Sequence, residues 1–475
     1  MRLHVLSGFI MFLILPIVAL ANDGDVSVLD STLSISGVVD FSMGEVVKGM
    51  YHSMKANGDE AIKKPATIGH AWFGNPLARL NFNFKPSENM EVLLGFEGNI
   101  FVCTFPPNLK TTLSSNGGIP VFPQWMDWRI HQAQGIFSLL NSERTSLHLS
   151  LGLMPYKYNP EVRNLGEFLF RSGTYPFFLI NNFNFPLARL SGMRLNFNYA
   201  SDILQVTFDQ FILTERNNPP LNDISLASIV GLDFMKLANI GLGIDFDRII
   251  SVNSNLTTPK AAKYATAPGD TGLYSFQGTK VMARATIDPF RTLRGGNGSF
   301  TNDLLGDNGG KFYGEVAIIG LKNYPASAVK IDGADSINPW GYTSIKERMP
   351  WMVGVNVPMW KLLDVCAFEL EYYPAPYPND YYQAFMNQGL PIPTWISAYH
   401  NDTTAYSKAS YLNSPWYWSL YMKKQIARHL SVLGQISRDH MRWDVNLGNE
   451  NNYDTEQIMA LMGQWAWRVG ILFEF

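Results

Sequence analysis

The sequence predicts an all-β protein, a transmembrane antiparallel up-and-down β-barrel of about sixteen strands, with fourteen or eighteen left open. Three observations predict it: too little charge for a water-soluble surface, short segments that alternate apolar and polar, and connections that are short at one end and long at the other.

Only 16% of the 475 residues are Asp, Glu, Lys or Arg, against roughly 25% in soluble domains. Yet 46% are hydrophobic and 13% aromatic. After residue 21 no apolar run reaches the roughly 18 residues that mark a spanning helix. A barrel reconciles the two facts, because each strand needs only every second side chain to be apolar. The charge balance, 37 basic against 40 acidic residues, leaves no basic excess for a phosphate backbone, so nucleic acid is excluded as a partner. Cys103 and Cys366 make no disulfide framework and sit in no zinc-binding spacing. GxSxG, HExxH and Walker patterns are absent, so the expectation is a non-enzyme with no cofactor and no metal.

The chain opens with a basic start, Met1-Arg2-Leu3-His4, then an apolar run from Val5 to Leu20 and the small-x-small pattern Ala19-Leu20-Ala21. This predicts a cleaved signal peptide over residues 1–21. Residues 22–475 then form a single transmembrane barrel domain with long extracellular loops.

Strands are read in order from period-two alternation, which a helix cannot place on one face. Leu80, Phe82 and Phe84 alternate with Asn81 and Asn83, and Val92, Leu94 and Phe96 with Gly95 and Glu97. The pattern recurs at Leu147 to Leu153, Leu195 to Tyr199, Leu204 to Phe208, Leu226 to Phe234 and Leu242 to Phe246. It continues at Val281 to Ile287, Val353 to Val357, Phe368 to Tyr372, Trp416 to Leu420 and Leu430 to Ile436. Polar turns at 85–89, 141–144, 200–202, 236–239, 358–362 and 425–429 join pairs of segments into hairpins. Longer stretches rich in Pro, Gly and Asn separate the pairs: 43–75, 103–127, 155–186, 214–223, 251–278, 321–348, 374–414 and 440–460. Residues 289–310 break the scheme, being too long for a tight turn.

The phase opposite the apolar one lists the pore wall: Arg79, Glu97, Arg129, His131, Arg194, Asp245, Arg284, Glu315, Glu369 and Arg468, with Glu371, Lys280 and Asp247 among others. Acids outnumber bases in the full phase, which points to a weak cation preference. His131 and His148 could share a metal, although without a third ligand such a pair more often only hydrogen-bonds. Pro76-Leu77-Ala78-Arg79-Leu80 recurs as Pro186-Leu187-Ala188-Arg189-Leu190, and Arg79-Leu80-Asn81-Phe82-Asn83 as Arg194-Leu195-Asn196-Phe197-Asn198. Within the aromatic stretch 372–418, Tyr377, Tyr381, Tyr382 and Trp395 are candidates for sugar contact or for loop packing. Tyr372, Tyr373, Trp416 and Tyr417 are assigned to the aromatic girdle at the membrane interface.

The last segment, Trp465 to Phe475, puts Trp465, Trp467, Val469, Ile471, Phe473 and Phe475 on one face. It resembles the final strand of Gram-negative outer-membrane barrels of the porin type, which end in alternating apolar residues and a terminal aromatic. The resemblance implies that Phe473 and Phe475 form the signal read by the barrel-assembly machinery, that the protein sits among outer-membrane lipids, and that a homotrimer can form. The layout is most similar to general porins, whose third long loop folds into the barrel and narrows the pore. The matching stretch, 155–186, carries Lys157, Glu161, Arg163, Glu167 and Arg171 as constriction-loop residues, although the family's acidic loop motif is not recognisable. An external loop with solvated charges is the alternative. A helical turn is expected at 161–170, packing through Leu165, Phe168 and Leu169. The function expected is a porin, a passive water-filled channel for small hydrophilic solutes or ions. The alternatives are a substrate-selective sugar channel, or an adhesin or structural barrel with a loop-blocked lumen.

Overall fold

The computed structural model describes residues 33–52, 66–103, 124–171, 188–214, 222–250, 260–261, 273–274, 278–291, 309–321, 328–331, 334–337, 344–374, 415–438, 442–446, 455–459 and 465–475. Sixteen antiparallel strands close into one barrel. They are β1 (Leu33–His52), β2 (Ala66–Ser87), β3 (Met90–Cys103), β4 (Gln124–Asn141), β5 (Thr145–Tyr156), β6 (Ala188–Ala200), β7 (Leu204–Thr214) and β8 (Ile224–Phe234). There follow β9 (Ala238–Ile250), β10 (Gly278–Ile287), β11 (Phe312–Ile319), β12 (Trp351–Asn356), β13 (Val365–Tyr372), β14 (Trp416–Ala427), β15 (Leu430–Arg438) and β16 (Ala466–Glu474).

Each strand pairs with its chain neighbours, and β16 returns to β1 in register from Val38↔Glu474 to Val46↔Ala466. The Gly37 N–H donates to the Phe475 carbonyl at 2.9 Å, and the Phe475 N–H donates back at 3.0 Å. Closure matters because an open edge would leave a row of unpaired polar groups in a medium that offers none in exchange. Gly37 also makes room for the last side chain, since a Cβ there would run into the Phe475 ring.

Burial alternates along the wall, as in β8, where Ser225, Ala227 and Ile229 face in and Leu226, Val230 and Leu232 face out. The outward set is exposed and apolar, with Phe41, Leu80, Phe84, Phe96, Ile130, Leu242, Val353, Val432 and Ile471 in it. That is the surface a bilayer covers. At the long-loop end Trp351, Tyr372 and Trp416 cluster on the outer face, Trp351 and Trp416 edge-to-face at 5.5 Å. Tyr373 and Tyr417, assigned to the same girdle from composition, are buried inside instead. Neighbours on a strand point to opposite faces, so Tyr372 and Tyr373 cannot both meet lipid.

The strands outrun the alternation. Residues 43–75, expected to be a connection, are largely strand, with β1 and β2 paired from Leu33↔Phe84 to Tyr51↔Ala66. Beyond the bilayer a strand needs only its backbone hydrogen bonds, so no apolar phase marks it. For the same reason three long stretches hold short hairpins that no alternation marks. Lys260–Ala261 pairs with Leu273–Tyr274 and Ala328–Ile331 with Ala334–Ile337. Arg442–Asn446 pairs with Thr455–Met459, which continues onto the end of β1. β10 and β11 pair as neighbours in the wall, and residues 292–308 between them lie outside the described residues. At the short-turn end Lys424 ties down the β12–β13 turn through Asp364 at 2.8 Å. Slight burial would raise the Asp364 carboxyl, but the Lys424 and Gln425 donors hold it below its ordinary range.

Gly152 and Gly192 stand opposite each other in the β5–β6 register, with φ +125° and +146°. A Cβ on either would collide with a neighbouring carbonyl oxygen, that of Ala133 or Ile212. Only glycine takes this conformation without strain, and it falls just before the end of β5, where the chain turns into the barrel.

Candidate functional site

After Tyr156 the chain does not turn outward. Residues 157–171 cross the lumen and lie against the inner wall of β9 to β14. Every backbone N–H from Arg163 to Leu169 donates to a side chain. Those of Arg163, Asn164 and Leu165 go to Glu369 at 2.5, 2.9 and 2.9 Å. Gly166 donates to Glu371 at 2.9 Å, Glu167 and Phe168 to Glu315 at 3.0 and 2.8 Å, and Leu169 to the Tyr158 hydroxyl at 2.9 Å. Tyr158 and Tyr313 hydroxyls complete the set, donating to Glu315 and Glu369 at 2.5 and 3.0 Å. Buried carboxylates are costly unless fully hydrogen-bonded, and a row of backbone N–H groups is a ready anion cradle. Here wall and segment satisfy each other.

The segment is also folded on itself. Gly166 and Glu167 both adopt positive φ, +80° and +60°, which brings the Glu167 carboxylate back to accept the N–H groups of Tyr158 and Asn159 at 3.3 and 2.5 Å. The Lys157 ammonium donates to the Val162 carbonyl at 2.5 Å. Leu165, Phe168 and Leu169 are buried, as expected of a packing face. The helical turn expected within 161–170 is α1 (Phe168–Arg171), at the end of that range, and the residues before it do not extend it. The physical reason is competition: the N–H groups that would close helical turns are taken by the wall carboxylates. At its two ends the segment is tied by ion chemistry. Glu161 meets Lys311 Nζ at 2.9 Å and Asn356 Nδ2 at 3.2 Å. Lys280 Nζ donates to the Leu169 carbonyl at 2.8 Å while pairing Asp245 and Asp247 at 3.0 Å each.

Half-way round the barrel, Glu97 on β3 is fully buried beneath three arginines. Arg79 reaches Oε2 at 2.5 Å, and Arg129 and Arg189 reach Oε1 at 2.6 and 3.0 Å. Three guanidiniums around one carboxylate leave that wall locally basic. His131 lies beside the cluster at a register shift between β3 and β4, its ring 2.7 Å from Asn81 Oδ1. Arg194 pairs Asp209 at 2.8 Å and covers the Tyr156 ring at 5.0 Å, while Tyr156 donates to Asp209 at 2.7 Å. Arg284 bonds Asn239 at 2.6 Å, and Arg468 bonds Gln435 at 3.1 Å.

Arg79, Glu97, Arg129, His131, Arg194, Asp245, Arg284, Glu315, Glu369 and Arg468 therefore all lie on the inward phase. They do not form one lining, because Glu315 and Glu369 sit under the inward segment. The Arg171 side chain, Tyr377, Tyr381, Tyr382, Trp395 and residues 1–21, expected to be a signal peptide, lie outside the described residues. Arg189 was missed as a site residue, yet the repeated Pro-Leu-Ala-Arg-Leu carried the signal: its two copies supply Arg79 and Arg189 to the same Glu97. The longer repeat matches too, since Arg79 and Arg194 each pair with an acid on the following strand. Nothing in the sequence singles out Tyr158. Among the described residues no group of three or more His, Cys, Asp or Glu could hold a metal ion.

The architecture is a closed antiparallel barrel of sixteen strands. No family model and no curated protein matches the sequence. Similar solved structures include a mutant porin of Rh. blastica, 8% identical with a TM-score of 0.34, covering 93% of this chain and 100% of that one. A triple mutant of the same porin is 7% identical with a TM-score of 0.36 and the same coverage. Salmonella typhi OmpF in complex with daunomycin is 10% identical with a TM-score of 0.38, covering 93% of this chain and 97% of that one. At those scores the likeness carries no argument; the barrel stands on its own strand pairing.

Proposed function

We propose that the protein is an outer-membrane porin, a passive water-filled channel for small hydrophilic solutes and ions. The observation that carries the reading is a polar-walled barrel of sixteen strands with a segment laid along one side. Barrels of roughly 16 to 18 strands are too wide for wall side chains to fill and leave an aqueous channel. In this reading Lys157, Glu161, Arg163, Glu167 and Arg171 belong to the constriction loop, and the wall residues set the local field.

The geometry favours anions over the weak cation preference expected from counting acids. Glu315, Glu369 and Glu371 lie beneath the loop, their carboxylates taken up by its N–H groups and so turned away from the open lumen, whereas three guanidiniums, those of Arg79, Arg129 and Arg189, converge on Glu97 at the β3 wall. Arg163 makes no ion pair among the described residues and adds to the same sign. Planar-bilayer recording tests both claims. The expected result is stepwise, salt-dependent current whose reversal potential in a KCl gradient has the sign of chloride preference, moving towards potassium in Arg79→Gln/Arg129→Gln. A barrel closed at every voltage overturns the channel and favours the adhesin or structural role. Current blocked by added oligosaccharide favours the sugar channel.

In the same reading, residues 1–21 are a cleaved export signal, Phe473 and Phe475 guide assembly by the barrel-assembly machinery, and the apolar belt meets outer-membrane lipids. A homotrimer is the state that crosslinking in native membranes would show.

A further inference from the structure

At the short-turn mouth of the barrel, between the tip of the inward segment and the wall of β7 to β11, lies a cavity of about 290 Å³. We propose that this cavity is a binding site for small zwitterionic solutes, amino acids and short peptides. The route to it rests on the channel reading; the binding does not.

Charge and size both select this class. The lining holds the acids Glu161, Asp233 and Asp288 and the bases Lys236, Arg291 and Lys311, so the site is balanced overall. An ion of either sign meets as much repulsion as attraction there, whereas a solute carrying both charges meets a partner for each. Glu161 and Lys311 are paired at 2.9 Å, which removes one charge of each sign. Asp233 accepts only neutral donors, the Lys236 N–H at 2.8 Å and Asn239 Nδ2 at 3.2 Å, and so keeps its negative charge for a ligand ammonium. Lys236 and Arg291 make no ion pair among the described residues and suit a ligand carboxylate. Thr286 adds a polar anchor: it lines the cavity at 9% exposure, and its hydroxyl has no hydrogen-bond partner among the described residues. A buried hydroxyl without a partner is costly, and a bound ligand would remove that cost. The volume, about 290 Å³, falls just below the roughly 300–1,000 Å³ of drug-sized sites, which suits a small solute and is too small for an oligosaccharide.

Saturation-transfer NMR on the detergent-solubilised full chain tests the site without needing current. The probe is glycylglycine, with acetate, methylammonium and glycerol as partial mimics. Glycylglycine should bind saturably and the three mimics should not. Loss of a charge-assisted contact in Asp233→Asn or Lys236→Gln should weaken glycylglycine roughly tenfold, and Thr286→Val should also weaken it. Lys236 is exposed, so Lys236→Gln keeps the barrel intact, which heat-modifiable migration verifies. Glycerol binding as strongly as glycylglycine, or glycylglycine binding unaltered by both charge substitutions, overturns the proposal. Specific binding without conductance would uphold this site and sink the channel reading; conductance without binding would do the reverse.

Discussion

Glu369 sits on the inner face of β13 yet binds the protein's own backbone and not a passing ion. Alternation puts it on the inner phase, where an acid suggests attraction for cations. Its carboxylate instead accepts three successive backbone N–H groups of the inward segment and the Tyr313 hydroxyl. Hydrogen bonds to charged groups contribute roughly 1.5–3 kcal/mol each, so Glu369→Gln should speed hydrogen exchange at Arg163, Asn164 and Leu165 by about tenfold or more. The barrel should keep its heat-modifiable migration. Exchange unchanged at those amides would mean that the wall carboxylate does not hold the segment. The repeat carrying Arg79 and Arg189 was legible as a repeat. Its purpose was not, because Glu97 lies outside both copies.

At the scale of elements, strand phase is written locally and strand length is not. β1 and β2 continue past the apolar alternation because paired backbone alone sustains them there, and β5 and β6 approach β4 and β7 too closely at Gly152 and Gly192 for any Cβ. Gly192→Ala should therefore block folding of the hairpin rather than merely weaken it, since positive φ and a backbone collision act together. The measurement is the yield of heat-modifiable barrel after refolding, expected to fall sharply. A yield equal to wild type would show that the β5–β6 wall can relax around a methyl group. The short α1 has the converse lesson: its apolar spacing was readable, but helix length depended on competing acceptors from distant strands.

The whole molecule is a closed wall with one segment inside it, and these two parts should be separable. Replacing residues 157–171 by a short Gly/Ser linker leaves the strand pairing untouched, so the barrel should still form. Single-channel conductance should rise, and voltage-independent closure should not appear. A fall in conductance would mean that the segment supports the open wall instead of narrowing it. Removal of the segment would also expose Glu315, Glu369 and Glu371, and selectivity should then swing towards cations.

What the sequence determined by itself is what depends on neighbours along the chain: the apolar and polar phases, the short turns, and the terminal strand that ends in Phe475. A period of two residues is a local property, and lipid on one side with water on the other forces it into the order of side chains. Whether an inward charge meets water or another part of the chain depends on contacts between residues far apart, such as Asn164 and Glu369, 205 positions away. No local pattern records such a pairing. The tertiary structure alone therefore decided that the acidic wall is covered, that the arginine wall is left locally basic, and that the inward segment is held by its backbone.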